Sequence, residues 1–161
     1  MKHRILIGAL CFALWNIALP TWAKTFTVKD LKGNYVLRFT GSAGVAANPF
    51  PNGTSLPETG SGVETADGKG NFTATTVFSI GGTTCSGTIA GTYSVNPNGT
   101  GTSKGTFTPN ATAPSGIPAG NYGCPPQITG EQNEAFTIGK NGVTFISTDP
   151  DSVISGLAQR Q

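Results

Sequence analysis

The chain holds one histidine, His3, and two tryptophans, Trp15 and Trp22, all within its first 22 residues. If that stretch is a removable leader, the protein that remains has neither residue type. The loss of histidine excludes the usual general base, the Ser-His-Asp style of acyl transfer and the commonest zinc ligand. Charge is also scarce, at 11% of residues, and removing Lys2 and Arg4 leaves eight positive and eight negative side chains. A balance near zero lacks the basic footprint that nucleic acid or an anionic membrane requires. Only Lys24, Lys29 and Lys32 form a slightly basic arm at the start of the remaining chain.

No apolar run is long enough to span a bilayer, which takes roughly 20 residues. The longest, Ile5–Leu19, follows the positive start Lys2-His3-Arg4 and precedes Pro20 and the small-residue site Thr21-Trp22-Ala23. This is the layout of a secretion signal cleaved before Lys24. Residues 1–23 are therefore expected to be a signal peptide and 24–161 one domain, secreted or periplasmic, with no stable membrane insertion after cleavage. Cys11 lies inside the apolar run behind bulky Leu10, which does not suit lipidation. Two cysteines then remain, Cys85 and Cys124, and an oxidising compartment makes a disulfide between them the expectation. Its loop of about 40 residues implies up to about 4 kcal/mol of chain-entropy stabilisation and pins the Pro/Gly-rich segment Pro109–Gly130.

What the sequence has in abundance is Gly, Thr and Ser, set in short alternating runs between turn signals, the pattern of an all-β protein. Tyr35, Leu37 and Phe39 share one strand face, with Val36, Arg38 and Thr40 on the other. Gly41–Pro57 is weakly patterned and predicts a long loop, followed by a strand near Gly60–Thr65 and a turn at Asp67-Gly68-Lys69-Gly70. Phe72, Ala74, Thr76, Phe78 and Ile80 alternate along a strand that Gly81-Gly82 reverses. Thr83–Val95 follows, with a bend or bulge expected at Ala90-Gly91. The turn Asn96-Pro97-Asn98-Gly99, a strand through Thr102–Thr108, and strands at Ala135–Ile138, Val143–Thr148 and Ser152–Arg160 complete the series. About eight or nine strands suit a single antiparallel barrel, with a two-sheet β-sandwich as the alternative.

Several apparent motifs fail on their mechanics. Gly101-Thr102-Ser103-Lys104-Gly105 has the Gly-x-Ser-x-Gly spacing of a nucleophile elbow, but it sits in a strand pattern with no helix after it and no histidine to act as base. Asp67-Gly68-Lys69-Gly70-Asn71 lacks the spaced carboxylates of a calcium loop and reads as a hairpin turn. The pairs Asp149/Asp151 and Glu131/Glu134 read as solvated turn residues. The Asn-x-Thr triplets at Asn52, Asn71, Asn98 and Asn110 read as turn chemistry. No catalytic residue, metal or cofactor is expected.

The succession Leu31-Lys32-Gly33-Asn34-Tyr35, Ala66-Asp67-Gly68-Lys69-Gly70-Asn71-Phe72, Gly91–Gly101, Phe145–Pro150 and Gly156–Gln161 resembles a group of small, uncharacterised secreted bacterial β-barrel proteins. The resemblance covers nearly the whole domain and implies a secreted β-fold with no assigned activity. A looser similarity is to lipocalins, which open on Gly-x-Trp, carry a later Thr-Asp turn and close with an arginine packed across the opening aromatic. Gly33-x-Tyr35, Thr148-Asp149 and Arg160 take those places. The tryptophan is replaced by Tyr35, and the tyrosine after Thr-Asp is missing.

Three functions remain open. One is a non-catalytic barrel that binds a small apolar or amphipathic ligand among Tyr35, Leu37, Phe39, Phe72, Phe78, Tyr93, Phe107, Phe136 and Phe145. Against it stands an interior that these aromatics simply fill. The second is a structural or interaction protein that meets a surface protein or glycan. The third is a histidine-independent barrel isomerase or cyclase using Glu58, Glu64 or Arg38. A hollow interior with convergent polar groups favours the first, and a cavity-facing Glu paired with Arg or Tyr favours the third.

Overall fold

A computed structural model describes residues 24–45, 54–113, 115–116, 122–124, 130–150 and 152–161. The expected signal segment 1–23 lies outside the described residues, as do Asn52 and Asp151. A single 3₁₀ turn, Val28–Leu31, precedes eight strands. They are β1 (Gly33–Val45), β2 (Thr54–Ala66), β3 (Asn71–Ile80), β4 (Thr83–Val95), β5 (Thr100–Pro109), β6 (Gly130–Ile138), β7 (Gly142–Ser147) and β8 (Ser152–Arg160). Each strand pairs antiparallel with the next, and β1 pairs with β8 to close the barrel. Closure leaves no unpaired edge, and it excludes the sandwich.

Period-two alternation sets which side chains enter the lumen. On β3, Phe72, Ala74, Thr76, Phe78 and Ile80 are buried while Asn71, Thr73, Thr75 and Val77 are exposed. At Gly81-Gly82 the backbone takes φ 56° and 88°, both positive, as a two-residue hairpin turn of this hand demands. Asp67 holds the β2–β3 turn by accepting from the backbone N–H of Lys69 (2.7 Å) and Asn71 (3.0 Å). Those bonds stabilise the charged carboxylate and lower its pKa to about 2, with the Asn71 side chain the largest contributor. Asn98 accepts from Thr100 in the same turn style, and Asn110 donates to Ser86 Oγ.

Three expectations are corrected. Gly41–Pro57 is strand at its two ends, since β1 runs on to Val45 and β2 starts at Thr54, while 46–53 lies outside the described residues. Its small residues give little hydrophobic signal, yet at Gly41 smallness is the requirement, because a Cβ there would collide with the Val153 carbonyl of β8. No bulge occurs at Ala90-Gly91, since both ladders of β4 keep continuous register through it. Gly91 instead admits the Phe72 ring opposite it and the β5 backbone. Finally, β6 begins at Gly130, so Glu131 and Glu134 lie on a strand and not in a turn.

The interior follows one packing rule that accounts for much of the glycine. Phe39 and Phe78 stand opposite Gly60, Phe72 opposite Gly91, Phe136 opposite Gly101, and Phe145 opposite Gly156. Each ring occupies the space a side chain on the facing glycine would need. A narrow barrel can thereby take large rings without overpacking.

Strand direction divides the molecule into two ends. At the base, Leu31 of the 3₁₀ turn packs with Tyr35, Phe72, Tyr93, Phe136 and Val143. Tyr93 Oη accepts from the Gly68 N–H (3.1 Å) and donates to the Val28 carbonyl (3.2 Å). Arg160 donates to the Lys32 carbonyl at 2.8 Å and lies over Gly33. At the mouth, Cys85 is fully buried and joined to Cys124, with Cα atoms 4.8 Å apart. Tyr122 bridges to Thr84 and donates to the Asn110 carbonyl (2.9 Å), which folds the β5–β6 connection back onto β4.

Candidate functional site

The mouth half of the lumen encloses a cavity of about 340 Å³, whereas the base half retains only about 40 Å³. The larger volume is in the range that takes one small organic molecule. Leu37 and Phe39 of β1, Phe78 of β3, Phe107 of β5 and Phe145 of β7 line it, with Ile89 and Ile154 between them. The Phe78 ring lies 5.5 Å from Phe107, edge-on, and 6.2 Å from Phe39. Tyr35, Phe72, Tyr93 and Phe136 line the small base void, which Phe145 also reaches. The nine side chains named from sequence thus all border the interior, but they divide into a hollow group and a filled group.

Polar groups converge on the cavity from three strands. Glu58 of β2 is only 8% exposed, and its carboxylate has no hydrogen-bond partner among the described residues. Burial away from water pushes its pKa up to about 7, because nothing there compensates the charged form. Thr76 of β3 is 2% exposed, and its hydroxyl oxygen also lacks a partner. Glu134 of β6 accepts from Ser103 Oγ at 2.9 Å and is pushed up by burial despite that bond, with the Asp149 charge adding to the rise. Below them, half-buried Glu64 is raised to about 7 by burial and by the charge of Glu134.

The turn Asp149 belongs to the cavity rim. It accepts from the Asn133 side chain at 2.9 Å and from the Asn133 backbone at 3.1 Å, which ties β6 to the β7–β8 connection. Arg38 is exposed on the outer wall. Glu58 and Glu64 face inward, yet neither makes a hydrogen bond to an arginine or a tyrosine among the described residues. The Glu–Arg or Glu–Tyr pairing that an isomerase or cyclase would need is therefore not formed. Ser103 lies within continuous strand β5, facing Glu134, so the Gly-x-Ser-x-Gly spacing makes no elbow.

Sequence reasoning passed over Thr76, read only as a strand residue, and Glu134, read as a turn residue. Parity carried the missing signal for Glu134: it sits two residues before Phe136 and four before Ile138, on the inward face of one strand. Among the described residues no helix is long and apolar enough to cross a membrane, and no three metal-ligating side chains lie close enough to hold one ion. The disulfide fits an oxidising environment. No protein-family model, no curated protein and no solved structure matches this chain, so the candidate site stands on its own geometry.

Proposed function

We propose that this protein is an exported, non-catalytic barrel, lipocalin-like in build, that carries a small amphipathic ligand in the mouth half of its lumen. The observation that supports it is the 340 Å³ cavity, walled by Phe39, Phe78 and Phe107 and provided with the unpartnered hydroxyl of Thr76 and the buried carboxyl of Glu58, which has no hydrogen-bond partner among the described residues. Apolar walls supply the driving force for uptake, and a few polar groups fix orientation. The signal-like first 23 residues and the disulfide support export to the periplasm or the medium.

The test uses N-phenyl-1-naphthylamine, a neutral dye that fluoresces in apolar surroundings. Saturable, one-to-one enhancement is expected, together with its loss in Ile154→Trp, whose indole would fill the cavity while circular dichroism shows the barrel intact. A folded wild-type protein giving no saturable signal would overturn the proposal.

A second function, attachment to a partner at the cell surface, draws on the outer wall, where Val63, Val77, Ile146 and Leu157 are exposed around Arg38. Recovery from cell fractions solely as a free monomer would count against it.

A further inference from the structure

The two ends of the barrel carry opposite charge. Lys24, Lys29, Lys32, Lys69, Lys140 and Arg160 all lie at the base or on segments attached to it, where they outnumber Asp30 and Asp67. The described residues of the connections at the mouth, 81–82, 110–113, 115–116, 122–124 and 148–150, contain no Lys, Arg or His, and the last of them contributes Asp149. The cavity behind them is lined by Glu58 and Glu134, with Glu131 and Asp149 at its rim, and by no basic side chain. Glu131 is matched by Lys104 on the outer wall, and Asp149 is occupied by Asn133. Glu58 has no such partner among the described residues, and Thr76 presents an unpartnered hydroxyl to the same space.

We propose that the ligand of this cavity is an organic cation, a primary or substituted amine on a short hydrocarbon body, with its ammonium group on Glu58 and its hydrocarbon against Phe39, Phe78 and Phe107. This rests on the ligand-carrying function proposed above and narrows it to a chemical class. Three features favour it over other occupants. A buried carboxylate with no cation beside it is completed by one that arrives with the ligand, through a charge-assisted hydrogen bond. Aromatic faces attract a desolvated cation as well as hydrocarbon. The acidic mouth draws cations in and turns anions away before contact. A metal ion is disfavoured because the carboxylates are not grouped closely enough, among the described residues, to share one.

Glu64 and Glu134 are the other carboxylates inside the lumen among the described residues, and Asp149 stands at its rim, so the carboxylates near a bound cation come from β2, β6 and the β7–β8 connection.

The experiment displaces bound N-phenyl-1-naphthylamine at pH 8 with hexylamine, 1-hexanol and hexanoate, which share a chain and differ in charge. Hexylamine is expected to compete at about tenfold lower concentration than hexanol, as one charged hydrogen bond implies, with hexanoate weakest. In Glu58→Gln the dye should still bind while the advantage of the amine falls to within about twofold of the alcohol, since the charge that separates them is gone. Equal competition by all three on the wild-type protein would overturn the cation and leave the amphipathic pocket standing. Failure of the dye itself to bind would remove the pocket as well. The wild-type series decides the matter even if the variant does not fold.

Discussion

At the base of the barrel, Tyr93 bonds both Gly68 and Val28, Leu31 fills the centre, and about 40 Å³ is left empty. At the mouth, a threonine hydroxyl goes without a partner and phenylalanine rings stand round about 340 Å³. The same eight strands build both ends, so the difference comes from what the ends are plugged with. The base receives a 3₁₀ turn whose leucine enters the lumen. The mouth half receives a disulfide at one side of its wall, and among the described residues no side chain fills its centre as Leu31 fills the base. Tight packing and empty volume are accordingly separated along one axis, and the unpartnered polar group lies beside the empty volume, where it costs less than it would in a sealed core.

The strongest way to break this comparison is to truncate one ring at each end. Phe136→Ala at the base is expected to cost about 3–5 kcal/mol, because the void it leaves is enclosed by packed neighbours. Phe39→Ala, whose half-buried ring already borders empty space, should cost about half that or less by the same cavity reasoning. Urea unfolding of the two variants gives the ratio. Equal losses would mean that the mouth is packed as tightly as the base.

Removing the disulfide probes the mouth alone. Cys85→Ala combined with Cys124→Ala should cost up to about 4 kcal/mol, from the freed loop of about 40 residues. Hydrogen exchange sharpens the result: amides near Thr84 and Ser86 should lose protection, whereas those at Gly68 and Tyr93 should keep it. Uniform loss across the barrel would contradict the separation of the ends.

The smallest effect concerns pH. Glu58 titrates near 7 in the folded protein and near its ordinary value of 4.5 when unfolded. Between those values the unfolded chain has released a proton that the folded one keeps, so the slope of stability with pH is negative. The stability that Glu58 contributes should therefore be fully present below about pH 4.5, fall as pH rises towards 7 and level off above it, whereas the contribution of Asp67, whose pKa is lowered, is lost only on acidification below its ordinary value of 3.8. The contribution of Glu58 is at most about 3 kcal/mol. Glu58→Gln should remove this part of the slope and leave the part due to Glu64 and Glu134, which thermal melts across the range would resolve.

Much of the barrel was legible from alternation. The β3 face, the Gly81-Gly82 reversal, the Asp67 turn, the disulfide and the extents of β4 and β8 agree with the sequence expectations. The misjudged stretches share a cause. In Gly41–Pro57 and at Ala90-Gly91, residues chosen for smallness look like loop or bulge until the facing strand or ring is known. Glu134 was misplaced because a carboxylate near other polar residues resembles a turn when the strand carrying it has not been recognised.

The candidate site was half legible. Which aromatics point inward followed from parity, but not which of them border empty space. Volume is the difference between what eight strands enclose and what their side chains fill, and that needs the register of every pair.

The sequence by itself determined the chemistry: over residues 24–161 no histidine, one cysteine pair, strand-period alternation and a near-zero charge balance. Only the tertiary structure decided where that charge goes. An up-and-down barrel sends alternate turns to opposite ends, so lysines from distant segments gather at the base, outnumbering Asp30 and Asp67, while Glu58, Glu134 and Asp149 line the mouth half. A net charge near zero thus conceals a polarised molecule, because summing along the chain erases the direction in which each strand runs.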